Sequence, residues 1–316
     1  MFNRFITSPE SLVTTREQTR AGFLITALEK NRVGDQFVGE VLAFKANCSG
    51  AACPGDLLHI PQIRPFLLAA AGLSDKALKI LTPADQDQAL AELVDHYLIP
   101  AGNDFIDEAI KRYLLAKGDA LGGIMRNKIG VLAQEKLIRC ILSRLNAQSV
   151  PYDWLENTDH APWKHQTAQD AGIEKNMKAL HWENANGHRV LAFNLKIPVV
   201  KNNVDICLFH CDTNTFDYGQ IVHQTDAAVM MGELKGGFDP AGADEHWKTA
   251  NSALGRIRDK FHDAGYDIPI SFVCGAIAKK MAGEIYRQLE SGQISNAANL
   301  NNPDQLVEYC NWLIAL

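Results

Sequence analysis

The chain has 316 residues, of which 47% are hydrophobic and 22% charged, a composition that is typical of a soluble globular protein and excludes wholesale disorder. Its 31 basic and 37 acidic residues give a net charge of −6, which by itself argues against a nucleic-acid partner, although local charge decides such binding. The N-terminus lacks a basic segment followed by a long apolar run, and no apolar stretch is long enough to span a bilayer. We therefore expect a soluble cytoplasmic protein with no membrane partner.

The first half of the sequence predicts helices. Thr15 and Gln18 have the spacing of a capping box, so we expect a helix over residues 21–32 that ends in a loop at Gly34. Prolines separate the further segments that are predicted as helices, namely residues 63–73, 90–99 and 105–115. Apolar residues between positions 138 and 145 repeat at helical spacing and predict one more amphipathic helix.

The pattern then changes to one that is typical of strands. Residues 151–188 are polar and rich in Trp, His and Asn, and we expect loops there. Apolar runs predict strands at residues 190–197, 204–209, 227–235 and 268–276. A long amphipathic helix is predicted between the third and the fourth of these strands. Pro303 opens a final helix. This order of helices and strands predicts an α/β fold with a mixed central sheet at residues 121–316. A mainly helical domain at residues 1–120 is predicted to precede it.

The seven cysteines are an odd number without a C-x-x-C pair, which argues against a disulfide framework. Cys207 and Cys211 flank His210, and a zinc site could be built from these three side chains. However, Cys207 lies inside an apolar strand pattern, where a single cysteine is usually a small core residue. We favour the core position for Cys207.

Three side chains suggest a catalytic site. Glu233 and Lys235 are two residues apart at the end of an apolar strand, so they project from the same face. Burying both is costly without compensation, and Asp205 supplies a second carboxylate from the expected neighbouring strand. Two carboxylates and a lysine form an oxygen site for Mg²⁺, which can activate water and neutralise charge in phosphodiester hydrolysis. On this motif alone, a structural Glu–Lys pair beside an unrelated aspartate is an equal alternative.

The residues after this strand extend the candidate site. Gly236 and Gly237 would let a substrate or another backbone segment approach closely. His246 falls in the first turn of the long helix that we expect next, beside its apolar stripe, where an imidazole could act as a general base at neutral pH. A histidine near a helix start is more often a surface or capping residue, so position alone does not assign this role.

Basic residues cluster in two segments despite the negative net charge. Residues 117–139 contain five basic and two acidic residues, and residues 247–260 contain four basic residues and one aspartate. Such clusters could follow a phosphate backbone, or could equally be solvated helix faces. Four members are our candidate backbone contacts: Arg126, Lys128, Lys248 and Arg256.

Four stretches resemble the AvaI/BsoBI-type II restriction endonucleases: RAGFLITALEKN, GDALGGIMRN, VDICLFHC and GELKGGFDPAGADEHWKTANSAL. The likeness extends from about Thr14 to the final helix. It implies a PD-(D/E)xK restriction-endonuclease-like core at residues 121–316 and a helical domain at residues 1–120 that encircles DNA. It further implies a homodimer that cleaves both strands of duplex DNA at the palindrome CYCGRG with Mg²⁺ and leaves 5′ overhangs, in a bacterial cytoplasm beside a cognate DNA methyltransferase.

The resemblance also implies roles for the catalytic residues. Asp205 and Glu233 match the metal ligands of the family, and Glu233 with Lys235 matches its E-x-K pair. His246 matches a histidine proposed as the general base. The sequence departs at one position from the broader group of nucleases that share this fold. Val204 stands where those proteins usually have a proline before the first aspartate. The metal site should tolerate this change because the aspartate supplies the ligand.

Two further residues match positions that the family places at the bases. Lys76 suits guanine N7 or O6, and Asp239 suits the cytosine amino group, as a G·C-rich site requires. A palindrome is also read most simply by a two-fold symmetric protein. Two alternatives stay open: a structure-specific or repair nuclease of the same fold, which would give no role to Lys76 and Asp239, and a non-catalytic DNA-binding relative.

Overall fold

One mixed sheet of eight strands forms the centre of the fold in the computed structural model, which describes residues 2–316. The strands are β1 (Tyr152–Glu156), β2 (Trp163–His165), β3 (Met177–Asn184), β4 (Gly187–Ile197), β5 (Asn202–Phe209), β6 (Ala228–Lys235), β7 (Ile270–Cys274) and β8 (Asn296–Asn299). Their order is β2-β1-β3-β4-β5-β6-β7-β8. Pairing is antiparallel from β2 to β6 and parallel from β6 to β8, so the carboxyl ends of β6, β7 and β8 meet at one edge.

The α-helices are α1 (Pro9–Leu12), α2 (Arg16–Asn47), α3 (Arg64–Ala70), α4 (Asp75–Leu78), α5 (Pro83–Leu93), α6 (Phe105–Ala147), α7 (Tyr218–Ile221), α8 (Pro240–Asp263), α9 (Lys279–Glu290) and α10 (Pro303–Ala315). A π-helical turn, Val94–Leu98, follows α5. Short 3₁₀ segments lie at Pro54–His59, Pro61–Ile63, Gly102–Asp104, Ile173–Lys175 and Thr225–Ala227. None of the helices among residues 2–316 is long and apolar enough to cross a membrane.

The chain forms two compact units. Residues 2–23 and Ile129–Leu316 form the first, which we call the sheet unit, and Leu24–Lys128 form the second, the helical unit. The sequence placed this division after residue 120 and assigned the first residues to the helical part. The structure instead divides after Lys128 and packs residues 2–23 with the sheet.

Both faces of the sheet are covered by apolar helices. On one face, α8 contributes Trp247 and Leu254 to a core with residues of β4–β7, and α9 joins it. On the other face, α6 contributes Leu137 and Ile141, and α10 contributes Tyr309. This two-sided burial explains why the runs of β5 and β6 are apolar at consecutive positions. Cys207 is fully buried in β5, as predicted for a core residue.

The helical unit has a core of its own. Phe66 stacks between Phe44 and Tyr113, with ring centroids 3.9 Å apart in each pair. Leu57, Leu67 and other apolar side chains of the short helices pack around this stack. The helical unit therefore has a buried apolar core made of its own residues.

The first residues of the chain are hydrogen-bonded to its last strand and helix. The Asn3 side chain donates to the carbonyl oxygens of Ala297, at 3.2 Å, and Gln305, at 2.7 Å. The Asn299 side chain donates from Nδ2 to the Leu12 carbonyl at 3.0 Å. The Gln305 side chain donates from Nε2 to the Ser11 carbonyl at 2.6 Å. These bonds are largely buried, and they hold residues 2–14 against β8 and the start of α10.

The predictions for the second half of the chain are largely confirmed, with two omissions and one wrong segment. β4, β5, β6, β7, α8 and α10 lie where the sequence predicts them, whereas α9 and β8 were not predicted. Residues 151–188 were wrongly expected to be loops, because they contain β1, β2 and β3. The Trp182 side chain is fully buried in β3 and donates from Nε1 to the Ile314 carbonyl at 3.1 Å.

The capping box before α2 is confirmed, but the predicted helix is too short. The Thr15 amide donates to Gln18 Oε1 at 2.9 Å, and the Gln18 amide donates to Thr15 Oγ1 at 3.2 Å. The expected loop at Gly34 is wrong, because α2 continues to Asn47. Similarly, the helices expected at 105–115 and 138–145 are parts of one continuous helix, α6. A glycine within a helix costs about 1 kcal/mol, which tertiary packing of a long helix readily offsets.

Candidate active site

Neighbouring strands bring the two candidate carboxylates together. β5 and β6 pair with Ile206 opposite Gly232, which sets Asp205 beside Glu233. Lys235 Nζ lies 2.8 Å from Asp205 Oδ2 and 2.6 Å from Glu233 Oε2. The Leu234 amide also donates to Asp205 Oδ2 at 2.9 Å. The three residues predicted to form a site therefore lie together, with both carboxylates in contact with the ammonium group of Lys235.

Burial gives this cluster unusual electrostatics. Glu233 is only 3% exposed, and burial together with the charge of Asp205 raises the pKa of its carboxyl to about 7, against the lowering effect of Lys235. For Lys235, burial lowers the pKa, but attraction to Glu233 and Asp205 outweighs it, so the net shift is upward. The lysine therefore remains a cation at neutral pH, while Glu233 is poised between its two protonation states.

The cluster has the chemistry of a site for a hard divalent cation. Two carboxylate oxygens from adjacent strands already converge on a positive charge, and burial opposes ionisation of one of them unless a cation is near. Oxygen donors are what Mg²⁺ prefers, and Mg²⁺ usually keeps several waters beside one or two carboxylates. No group of three or more His, Cys, Asp or Glu residues that could hold a metal occurs among residues 2–316. Asp205 and Glu233 fit Mg²⁺ as a two-carboxylate site.

Glycines fix the backbone directly after Lys235. A Cβ on Gly236 would lie 2.6 Å from the carbonyl oxygen of Ile129 in α6, so no side chain fits there. On Gly237, a Cβ would lie 3.3 Å from Nε2 of His246. The close approach that the sequence anticipated at Gly236 is thus made by the protein's own helix. The imidazole of His246 thus lies beside Gly237, the second residue after the end of β6.

α8 starts earlier than the sequence suggested. Asp239 is its N-cap and its side chain accepts a hydrogen bond from the Ala241 amide at 2.9 Å, which places His246 in the second turn and not the first. His246 is exposed, while its neighbour Trp247 is buried. The imidazole therefore stays accessible to a substrate beside a rigidly packed helix.

The candidate base contacts lie in different units. Lys76 is exposed on α4 in the helical unit, and Asp239 is exposed at the start of α8 in the sheet unit. Lys76 has no ion-pair partner within the described part of the chain. Asp239, in contrast, has one carboxylate oxygen engaged as a helix cap. The capping role was not predicted, although an aspartate before a proline at a helix start is a known signal for it.

The candidate backbone contacts differ in how far their charges are already compensated. Lys248 forms ion pairs with Asp244 at 3.5 Å and Glu245 at 2.8 Å, one turn before it in α8. These two acids lie just outside the segment in which the sequence showed a basic excess. Arg126 and Arg256 are exposed and form no ion pair with any residue that the structure describes, and Lys128 is half-buried.

A hydrogen-bonded group behind the site was missed by the sequence analysis. The Asn301 side chain donates to the Gly275 carbonyl at 2.7 Å and accepts from Lys136 Nζ at 2.8 Å. The Gly275 amide in turn donates to the Lys235 carbonyl at 2.8 Å. A Cβ on Gly275 would lie 2.8 Å from the Gly237 carbonyl oxygen. Asn301 thus supports the backbone on which Lys235 stands. The glycine after the apolar run of β7 was the one local signal of this contact.

Comparison with known proteins shows the family to which the chain is similar. The chain matches the family model described as "Restriction endonuclease BsobI" over residues 2–316. It is 44% identical over 315 residues to the type II restriction enzyme BsoBI of Geobacillus stearothermophilus, which covers 99% of this chain and 98% of that protein. It is also 44% identical over 311 residues to the type II restriction enzymes AvaI of a Nostoc species and of Anabaena variabilis, in each case 98% of both chains.

Proposed function

Because this chain belongs to the BsobI restriction endonuclease family and is thus a type II restriction endonuclease, we propose that it cleaves both strands of the palindrome CYCGRG with Mg²⁺ and leaves 5′ overhangs. The observation that carries the proposal is the convergence of Asp205, Glu233 and Lys235 on adjacent strands. The recognition sequence follows from the family resemblance of the motifs. Mg²⁺ follows from the oxygen donors of the site.

Asp205 and Glu233 would hold the metal. When bound, Mg²⁺ supplies a polarised water and neutralises charge on the phosphoryl group. Glu233 has to give up its proton for this, since its pKa of about 7 leaves it partly protonated at neutral pH. Lys235 keeps its charge and lies within 2.8 Å of Asp205, so it can orient the attacking water or stabilise negative charge that develops in the transition state.

His246 would act as the general base. Its imidazole is exposed and lies next to Gly237, two residues after Lys235. A substrate phosphate at the metal site would therefore come within reach of the side chains of His246 and Lys235. A base must come within hydrogen-bond reach of the proton that it removes, directly or through one water molecule. His246 lies in the second turn of α8, next to the buried Trp247, so the helix holds the imidazole in place and leaves it exposed.

DNA recognition would use both units. Lys76 would contact guanine, and the free carboxylate oxygen of Asp239 would accept from the cytosine amino group. Arg126, Lys128 and Arg256 would contact phosphates, where cations without acidic partners release counterions. Lys248 is a weaker candidate, because Asp244 and Glu245 already neutralise its charge. Lys248 would contribute mainly if DNA displaced these partners.

Assembly and cellular setting are further parts of the proposal. A palindromic site calls for a two-fold homodimer in which each subunit cleaves one strand. The helical unit would close around the duplex, and the sheet unit would cleave it. The enzyme would act in the bacterial cytoplasm, where a cognate DNA methyltransferase protects the host sites.

Cleavage of a sequenced plasmid tests the proposal. The purified protein is incubated with a plasmid that contains one CYCGRG site, with Mg²⁺ or with EDTA, and the cut ends are mapped. We expect one Mg²⁺-dependent double-strand cut at that site with 5′ overhangs. Asp205→Asn should abolish cleavage, whereas Asp226→Asn, at an exposed aspartate before β6, should not. Discrete cuts elsewhere would refute the specificity alone, and absence of metal-dependent cleavage would refute the site.

A further inference from the structure

Two cysteines to which the proposed nuclease mechanism gives no role lie in the core between α6 and α10. Cys140 is half-buried in α6, and Cys310 is buried in α10 within the same apolar core. Hydrogen bonding with Cys310 is the largest influence on the pKa of Cys140 and lowers it. Arg144, one turn after Cys140, donates from Nε to Oδ1 of Asn311, the residue directly after Cys310, at 2.8 Å, which fixes the two helices in register at this point. Both cysteines are free thiols in the structure.

Two cations bracket Cys140. Lys136 and Arg144 lie four residues before and after it, so all three occupy one face of α6. Neither cation has a carboxylate partner among residues 2–316, since Lys136 donates to the Asn301 amide oxygen and Arg144 to that of Asn311. A thiolate is the anion that this pocket of positive charge would stabilise.

The two thiols are unequal in a way that suits a nucleophile and its partner. The hydrogen bond from Cys310 lowers the pKa of Cys140, and Arg144 and Lys136 lower it further, against the effect of burial. Burial and the same hydrogen bond raise the pKa of Cys310 well above its usual value. Cys140 is therefore the thiol that ionises first, and Cys310 keeps its proton and donates it to the thiolate.

We propose that Cys140 and Cys310 form a redox-active site, in which a hydroperoxide oxidises Cys140 and Cys310 then closes a disulfide between α6 and α10. The proposal depends on the helix contact, the thiol pair and the unpartnered cations. It is independent of the nuclease activity. α6 also supplies the Ile129 carbonyl against Gly236, so the link would lie on the helix that supports the catalytic strand.

The chemistry proceeds in two balanced steps. The Cys140 thiolate attacks one oxygen of the hydroperoxide, the O–O bond breaks, and sulfur loses two electrons to form a sulfenic acid while hydroxide or alkoxide leaves. The Cys310 sulfur then attacks the sulfenic sulfur, the S–O bond breaks, and the departing oxygen takes the thiol proton and leaves as water. A cellular thiol reductant would reverse the link, as expected for a redox-sensing pair in a reducing compartment.

The first experiment uses the wild-type protein. After treatment with increasing hydrogen peroxide, free thiols are blocked and the non-reduced peptides are identified by mass spectrometry. We expect the peptide containing Cys140 to be linked to that containing Cys310 before other cysteines are oxidised. Prior oxidation of any other cysteine, a different linkage, or sulfinic acid at Cys140 without the disulfide would each overturn the proposal.

Two variants and a pH profile separate the roles of the thiols. In Cys310→Ala, a diketone probe should trap sulfenic acid at Cys140, because the second step is blocked. Cys211→Ala, which removes a buried cysteine from the opposite side of the sheet, should leave the disulfide unchanged. In the wild type, alkylation of Cys140 by iodoacetamide should reach half its maximal rate at a lower pH in the folded than in the urea-unfolded chain. An equal or higher pH for the folded protein would contradict the activation of Cys140.

Discussion

Replacement of Glu233 by glutamine should stabilise the metal-free protein at alkaline pH while it abolishes cleavage. The folded state raises the pKa of Glu233 from 4.5 to about 7, chiefly because the side chain is buried. In the window between these values, the folded chain holds a proton that the unfolded chain has lost. The stability associated with the neutral side chain is therefore complete below about pH 4.5 and is lost as the pH rises through about 7.

The size of the effect follows from the shift. A difference of 7 − 4.5 = 2.5 in pKa corresponds, at about 1.4 kcal/mol for each pKa unit, to roughly 3 kcal/mol of unfolding free energy well above pH 7. Near pH 5, the raised pKa lowers the unfolding free energy by only about 1 kcal/mol, because the folded state still holds its proton there. Glutamine resembles the protonated glutamate and does not titrate. The stability of Glu233→Gln relative to the wild type should thus increase by about 2 kcal/mol between about pH 5 and about pH 8.

Urea denaturation in EDTA measures this difference, because chelation removes the stabilisation that a bound metal would add. Unfolding free energies of wild type and variant are compared at the two pH values, so that all other titrating groups cancel. Glu183→Gln, at an exposed glutamate, is the matched control and should show no such change. If Glu233→Gln instead lost stability relative to the wild type as the pH rose, attraction between Glu233 and Lys235 would outweigh burial, and the reasoning would be refuted.

Three further predictions concern the site and its support. Mg²⁺ binding near neutral pH should release protons, because Glu233 must ionise to bind the metal; calorimetry in two buffers of different ionisation enthalpy measures the number released, and none would contradict the raised pKa. His246→Ala should slow cleavage about 100-fold or more and remove the corresponding limb of the pH–rate profile, with DNA affinity unchanged; near-normal turnover across pH would exclude the general base. Asn301→Ala leaves the Gly275 carbonyl and the Lys136 ammonium without their partner and should cost about 1–3 kcal/mol of unfolding free energy in urea, compared with little for the exposed Asn214→Ala.

Local sequence patterns predicted the parts of the fold that depend on local periodicity. The apolar runs of β5 and β6 identified central strands, and the spacing of Glu233 and Lys235 was enough to place both side chains on one face. The capping pair Thr15 and Gln18 fixed the start of α2. Each of these signals lies within a few residues of the feature that it determines.

Features that depend on distant residues could not be predicted in this way. β3 looked like a loop because Trp182 and its polar neighbours find their partners only after the sheet and α10 are assembled. The length of α2 was underestimated because Gly34 is a poor helix former by itself, whereas the surrounding helix tolerates it. Asn301 and Cys310 have no local motif, and their partners Lys136 and Cys140 are more than 160 residues away in the sequence.

The binding of residues 2–14 to β8 and α10 sets an order for folding during synthesis. Asn3 bonds to residues 294 and 302 positions away, and Asn299 to Leu12 at a separation of 287. A nascent chain emerges from the ribosome N-terminus first, and its domains generally fold as units. The helical unit can bury its own core early, but the sheet unit cannot close until β8 and α10 have been translated. A ribosome-bound fragment would thus carry a folded helical unit before the sheet unit, in which Asp205, Glu233 and Lys235 meet, can be completed.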